Sequence, residues 1–526
     1  MSRGEVAHSV SRGTFWLVLE KVAALISSVA YSVLLLRWLG PRQFGIMTLA
    51  LACVGFATVA TGNFEVFLER FAAEYEARGL RRTLRRAHLL ALGIKLGLGL
   101  VASAVLLVLV PWLGRFFAVP ELPMLVPVLT VMVAFDGLST TGRATLYGTQ
   151  EFRWLSLLAV FFHLAKIVLV AMLWWGHHGL FALALALSVL AAALALAQTA
   201  VPLWILRHAR DREPPAPERA WRGLLRSMVS YCVPLLGARI TFMSGQNLST
   251  IILGKLFSPG LLGYFKFAFQ TIERFNDLAN AVPSSLMPSL TRLVAHGERE
   301  RLRLIFDQAL RLIQTLAFAL SFGLFVFARE LTLLIGGWSF APAIPMLRVL
   351  ALVPMARTAQ QPLTVLFQSL RRPGTVLVLS VIKFVTEFGA YFLLVIPLGV
   401  MGAAWANLAG AVVAFVVAMA LLARMIPDGA SDRARTGFAA LTLLSLLLAV
   451  TLLGEMFFRG TSLVLFHLAL VPVAGVGVFA LGLVRWEDLD KLVDLPLERP
   501  WTRVVRGSLV LTLGFFARLA GVRRTA

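Results

Sequence analysis

The chain has 526 residues, of which 59% are hydrophobic and only 14% charged, and its formal net charge is +22. Soluble proteins average about a quarter charged residues, so this composition excludes a soluble enzyme and a soluble nucleic-acid-binding domain. It predicts an integral membrane protein. In such a protein the positions of the basic residues indicate which side of the membrane each segment faces, and they do not imply binding to nucleic acid.

Fourteen apolar runs follow one another along the chain, and each is long enough to cross a bilayer, which takes about 20 residues. The predicted spans are 14–36, 44–66, 87–111, 122–147, 154–175, 179–206, 228–254, 260–288, 304–327, 342–367, 374–396, 399–425, 436–457 and 462–484. If the chain starts in the cytosol, most Lys and Arg residues fall in cytosolic segments. This agrees with the excess of positive charge that membrane proteins usually carry on the cytosolic side. Both termini are therefore predicted to be cytosolic.

The two halves of the chain resemble each other at an offset of 218 residues. Pro41 and Gly45 of the first half align with Pro259 and Gly263 of the second. Because each half contains an even number of spans, both copies enter the membrane with the same polarity, as parallel repeats do. The predicted fold is all-α, with two parallel six-helix repeats and two extra C-terminal helices.

Proline-rich and charged stretches separate the predicted parts. The first break contains Pro214-Pro215 and the second Pro427-Asp428-Gly429, and such residues do not continue a helix. We predict an N-lobe of spans one to six at 1–210, a cytosolic linker at 211–226, a C-lobe of spans seven to twelve at 227–426, spans thirteen and fourteen at 434–484, and a basic interfacial tail at 485–526.

Each repeat opens with a helix that carries a polar stripe. The stripe consists of Lys21, Ser28 and Ser32 in the first repeat and of Arg239, Gln246 and Thr250 in the second. Residues at these spacings share one helix face, and Lys and Arg both bind phosphate. These six, with Asn276 and Asn280 of the eighth span, are the predicted substrate-binding residues of a cationic cavity. The alternatives are a polar seam between packed helices and cations that reach back to the headgroups.

Other ionisable residues lie inside the apolar runs. They are Asp136, His163, Glu273, Arg357, Lys383 and Glu387. A charge at the bilayer centre costs about 2.5–3.5 kcal/mol on insertion scales, so it usually has a partner or a function. Lys383 and Glu387, one helical turn apart, are interpreted either as a mutually neutralised pair or as a cation site or proton relay. All six are candidates for coupling or charge relay.

Motifs of enzymes and metal sites do not occur in the sequence. It has no phosphate-binding loop, no dinucleotide fingerprint and no zinc-protease motif, and no predicted external loop is long enough for a catalytic domain. We expect a protein that is not an enzyme and has no cofactor or metal. The two cysteines, Cys53 and Cys232, lie in apolar contexts of different halves and imply no disulfide framework.

The segment from Leu34 to Gly45 contains an LGPxxFG turn between two apolar runs. It resembles the polysaccharide-flippase branch, which includes O-antigen flippases, of the multidrug, oligosaccharidyl-lipid and polysaccharide (MOP) exporter superfamily. The resemblance implies a V-shaped pair of lobes that alternates between inward-open and outward-open states in the bacterial inner membrane. It also implies that the cargo is an oligosaccharide on undecaprenyl pyrophosphate, moved from the cytosolic to the outer leaflet. A glycan polymerase and a chain-length regulator are candidate partners, and H⁺, Na⁺ or the membrane potential is the candidate driving force.

Other functions within this architecture stay open. A lipid II flippase of the peptidoglycan pathway shares the architecture and a cationic cavity. A multidrug antiporter would place acids against a cationic drug, whereas the aligned first-helix positions are Lys21 and Arg239. A glycan polymerase or a scaffold is disfavoured because the predicted external loops are short.

Overall fold

The computed structural model describes residues 3–208, 219–279, 294, 298–369, 373–425 and 430–481, and these residues form helices without any strand. Lipid supplies no hydrogen-bond partners, and a helix satisfies its backbone groups internally. Eleven helices of the described part are long and apolar enough to cross a membrane. The chain is therefore a multi-pass membrane protein, and the number fourteen and the cytosolic termini stay predictions.

The described chain divides into two compact units. The first comprises Met1–Lys266 and Leu334–Phe340. Its helices are α1 (Arg3–Val59), α2 (Glu65–Ala77), α3 (Arg81–Phe117), α4 (Leu122–Gly148), α5 (Phe152–Trp175), α6 (Leu180–His208), α7 (Arg219–Leu256) and the beginning of α8 (Pro259–Ala279). Helix α4 packs against α3 and α6, and α1 packs against α5 and α7.

The second unit comprises Phe267–Leu333 and Ala341–Ala526. After the rest of α8, its described helices are α9 (Arg299–Val326), α10 (Ala328–Gly336, whose end belongs to the first unit), α11 (Ile344–Leu350), α12 (Val353–Ser369), α13 (Pro373–Leu398), α14 (Val400–Met425), α15 (Ala430–Phe457) and α16 (Thr461–Ala480). A short 3₁₀ helix, Trp338–Ala343, precedes α11. Helices α13 and α14 pack closely on each other, and α15 packs on α9 and α16.

Helix α1 contains the turn of the LGPxxFG segment. Gly40 has φ 65° and ψ 177°, a backbone conformation that only glycine adopts easily. Pro41 follows it and has no N–H to donate within a helix. The chain is therefore kinked between the predicted first and second spans, and the motif residues are those that the kink requires.

Three sequence predictions differ from the structure in their bounds. The predicted span 44–66 ends as a helix at Val59, and α2 begins only at Glu65. The predicted span 342–367 is broken between α11 and α12 at Ala351 and Leu352, just before Pro354, which lacks the N–H that a continuous helix would use. The predicted linker 211–226 is partly helical, since α7 starts at Arg219.

The lobe boundary expected in the linker stays a prediction, and the boundary between the two compact units is a separate feature. It falls within α8, after Lys266. The reason is that α7 packs on α1 and that the first turns of α8 approach α1 closely, with Gly263 against Pro41. The predicted tail at 485–526 lies outside the described residues.

Candidate functional site

The polar stripe is described only in part. Lys21, Arg239 and Gln246 lie in α1 and α7, but their side chains lie outside the described part of the structure. Ser28 is half-buried, and the buried Ser32 hydroxyl donates to the Ser28 carbonyl at 2.7 Å. This local bond satisfies the Ser32 donor within its own helix, as serine often does in membrane helices.

Two other predicted cavity residues bury polar atoms. Thr250 is buried in α7, and its hydroxyl has no hydrogen-bond partner within the described part of the chain. Asn276 is buried in α8, and neither its Nδ2 nor its Oδ1 has a partner among the described residues. Asn280 lies outside the described residues. Unsatisfied buried amides are rare because their desolvation is costly, so Asn276 is available to a ligand or water.

An ion pair with a fully buried lysine lies in the first unit, and the sequence interpretation singled out neither of its members. The Lys95 Nζ of α3 donates to Glu65 Oε2 at 2.5 Å and to Thr140 Oγ1 at 2.7 Å. The Lys95 side chain is 0% exposed and that of Glu65 is 13% exposed. We call Glu65, Lys95 and Thr140 the Lys95 triad. It links α2, α3 and α4 inside the unit.

Asp136 and His163 lie near charged neighbours of the first unit. The Asp136 backbone carbonyl accepts from Thr140, so Asp136 lies one helical turn from the Lys95 triad. His163 of α5 is half-buried, with Lys166 and Arg143 close enough to act on it electrostatically. Arg143, in turn, lies 3.7 Å from the buried Glu20 carboxylate.

The second unit contains the other four coupling candidates. Glu387 receives hydrogen bonds from Lys383 at 3.2 Å and from Asn407 Nδ2 at 2.7 Å, so the ion pair predicted from their spacing is present. Asn407 of α14 was missed, although it is a polar residue inside an apolar run. Arg357 of α12 pairs with Glu273 of α8, and both act electrostatically on Lys383.

We expect Glu387→Ala to lower the free energy of unfolding by about 3 kcal/mol, because it leaves a mostly buried Lys383 ammonium and the Asn407 amide without their acceptor. Glu387→Gln keeps an acceptor for Asn407 and should lose about half as much. Thermal unfolding in a mild detergent measures both. Equal losses for the two variants would contradict the role of the Asn407 bond.

The described interior cations are largely neutralised. Lys95 pairs with Glu65, Arg357 with Glu273, Lys383 with Glu387, and Arg143 lies near Glu20. At these four positions the paired charges leave little net positive charge for an anionic substrate.

Comparisons with known proteins place the chain in a family. A family model described as polysaccharide biosynthesis protein matches residues 34–345, which is more than half of the chain. A search of curated proteins finds no match.

Among solved structures, the fold is similar to that of an inward-facing multidrug resistance MATE family transporter of the MOP superfamily, with a TM-score of 0.63, 17% identity, and 80% of this chain and 99% of that chain covered. It is also similar to the lipid II flippase MurJ in an inward closed conformation, with a TM-score of 0.63, 11% identity, and 91% and 99% covered. A MOP superfamily transporter from Pyrococcus furiosus, whose binding pocket has reversed polarity, gives a TM-score of 0.51, 16% identity, and 80% and 96% covered. The chain therefore belongs to the polysaccharide biosynthesis family and has the fold of the MOP superfamily.

Proposed function

We propose that the protein is a flippase that moves an oligosaccharide linked to undecaprenyl pyrophosphate from the cytosolic to the outer leaflet of the bacterial inner membrane. The match to the polysaccharide biosynthesis family over residues 34–345 carries this proposal. The membrane fold supports transport rather than catalysis, since the structures that share it are transporters and flippases. Fourteen spans, cytosolic termini and alternating access belong to the same proposal.

The pyrophosphate headgroup sets the chemistry of the proposed site. It is anionic and must be held in a cavity by cations and by hydrogen-bond donors. Lys21 and Arg239 supply the cations in this proposal, and Ser28, Gln246, Thr250 and Asn276 supply polar contacts. The unsatisfied Asn276 amide supports this assignment, because a buried donor and acceptor without protein partners is stabilised by a polar ligand.

The direction of transport agrees with the charge of the cargo. Moving negative charge outward is favoured by an inside-negative potential, at about 2.3 kcal/mol per charge per 100 mV. An H⁺ or Na⁺ gradient is the alternative driving force, for which Asp136, Glu273 and Glu387 are the proposed titrating groups. A glycan polymerase and a chain-length regulator are the proposed partners.

We expect Lys21→Ala combined with Arg239→Ala to reduce translocation of an undecaprenyl-pyrophosphate-linked oligosaccharide in proteoliposomes at least tenfold, because the variant loses both cations proposed to hold the pyrophosphate. The matched control combines Arg153→Ala with Arg301→Ala, which removes two exposed charges. It should transport at the wild-type rate. Wild-type transport by the Lys21 and Arg239 variant would remove these residues from the mechanism.

A lipid II flippase is the second candidate, favoured by the fold similarity to MurJ over 91% of this chain. The same proteoliposomes loaded with lipid II separate the two functions. Movement of lipid II but not of the oligosaccharide-linked carrier would replace the first proposal with the second. Movement of a cationic drug alone would favour a multidrug antiporter.

A further inference from the structure

Two glycines allow an unusually close backbone contact within the first unit. A Cβ atom on Gly45 of α1 would lie 1.7 Å from the carbonyl oxygen of Pro259, and a Cβ on Gly263 of α8 would lie 2.0 Å from the carbonyl oxygen of Pro41. Any Cβ at either position would overlap with backbone. We call Pro41, Gly45, Pro259 and Gly263 the proline–glycine clasp.

The clasp is reciprocal in the way that symmetric interfaces are. Pro41 and Pro259 are equivalent positions of the two repeats, and so are Gly45 and Gly263. Each glycine contacts the proline of the other repeat, so the same patch is used twice, as at a two-fold interface. The clasp therefore joins corresponding points of the two sequence repeats.

Aromatic rings cover the clasp. The buried Phe340 ring meets Phe44 edge-on and Tyr264 edge-on, each with ring centroids 6.1 Å apart. Arg37 donates to the Leu334 carbonyl at 2.8 Å and so ties the segment carrying Phe340 to α1. Gly45 and Gly263 are both buried in this contact.

We propose that the proline–glycine clasp is the outer closure of the transport pathway, with Gly45 and Gly263 as the positioning residues that permit it. The inference rests on the proposed function, whose orientation puts Pro41 and Pro259 at the outer face. A transport cycle needs a contact that seals and then separates. Backbone carbonyls against glycine Cα–H groups are weak partners, so the seal opens without breaking an ion pair.

The test measures closure directly. In a background with Cys53→Ser and Cys232→Ser, a single Thr48→Cys reports access, since Thr48 is buried one turn beyond Gly45. The vesicles contain no detergent and no substrate, and the outer face of the protein points to the medium. An impermeant maleimide is added to the medium, and Gly45→Ala and Gly263→Ala should each raise the labelling of the cysteine at position 48 at least tenfold. Both should also slow transport at least tenfold, because the outer side no longer closes.

Two matched glycines serve as controls. A Cβ on Gly93 of α3 or on Gly260 of α8 meets no atom within 4 Å, so Gly93→Ala and Gly260→Ala should leave labelling and transport unchanged. Wild-type labelling in both clasp variants would overturn the inference. If the clasp variants do not fold, Phe340→Ala opens the cover without inserting atoms, and unchanged labelling there would overturn the inference as well. Labelling without substrate does not depend on cargo, so it separates failure of the clasp from failure of the proposed function.

Discussion

Replacing Glu65 with Leu is expected to lower the free energy of unfolding by about 3–5 kcal/mol, the range measured when one partner of a buried ion pair is removed. The Lys95 ammonium is fully buried and has only Glu65 as a carboxylate partner at hydrogen-bond distance in the described structure. Without Glu65 the ammonium keeps the Thr140 hydroxyl at hydrogen-bond distance, and the Glu69 carboxylate acts on it only from farther away. Denaturant or thermal unfolding of the detergent-purified protein measures the loss.

A double-variant cycle identifies the ion pair as the cause. Lys95→Met combined with Glu65→Leu should recover most of the lost stability, because an apolar pair of similar volume replaces a buried ion pair with little cost. The exposed pair Arg78 and Glu74 is the matched control, and Arg78→Ala should change stability by less than about 1 kcal/mol. A Glu65→Leu variant as stable as Arg78→Ala would contradict the buried pairing.

Gly142→Ala is expected to destabilise the first unit by about 3 kcal/mol, at the upper end of overpacking costs. A Cβ on Gly142 of α4 would lie 2.0 Å from the Gln198 carbonyl oxygen of α6, and a backbone atom cannot rotate away. The two helices would have to separate, which stretches the hydrogen bonds from Ser139 to Gln198 and from Thr199 to Leu138.

The matched control for this variant is Gly97→Ala in α3, where a new Cβ meets no atom within 4 Å. Its free energy of unfolding, measured by thermal unfolding, should match that of the wild type within about 1 kcal/mol, which is the difference in helix propensity between glycine and alanine. If Gly142→Ala unfolds at the same temperature as Gly97→Ala, the result would contradict the close backbone contact between α4 and α6.

Local pattern was sufficient to predict most helices and the membrane class. Apolar runs of sufficient length leave few alternatives to membrane helices, since the backbone must satisfy its own hydrogen bonds there. The kink at Gly40 and Pro41 was also predictable, because each of these residues constrains the backbone at its own position. The break before Pro354 was missed, since the apolar run continues on both sides of it, from Val349 to Ala356.

The charged sites were only partly predictable. Lys383 and Glu387 are one turn apart, so their pairing follows from helix geometry alone. Glu65 and Lys95 lie 30 residues apart and Asn407 lies 20 residues from Glu387. Nothing in their spacing indicates contact, because such pairs meet only when separate helices pack.

The sequence by itself determined the helices, the membrane environment and the resemblance that the family match confirms. These properties depend on local hydrophobicity, on backbone preferences and on a short motif. Only the tertiary structure decided which interior charges neutralise each other and why Gly45 and Gly263 must lack side chains. Both depend on distances between helices remote in the chain, which packing alone sets.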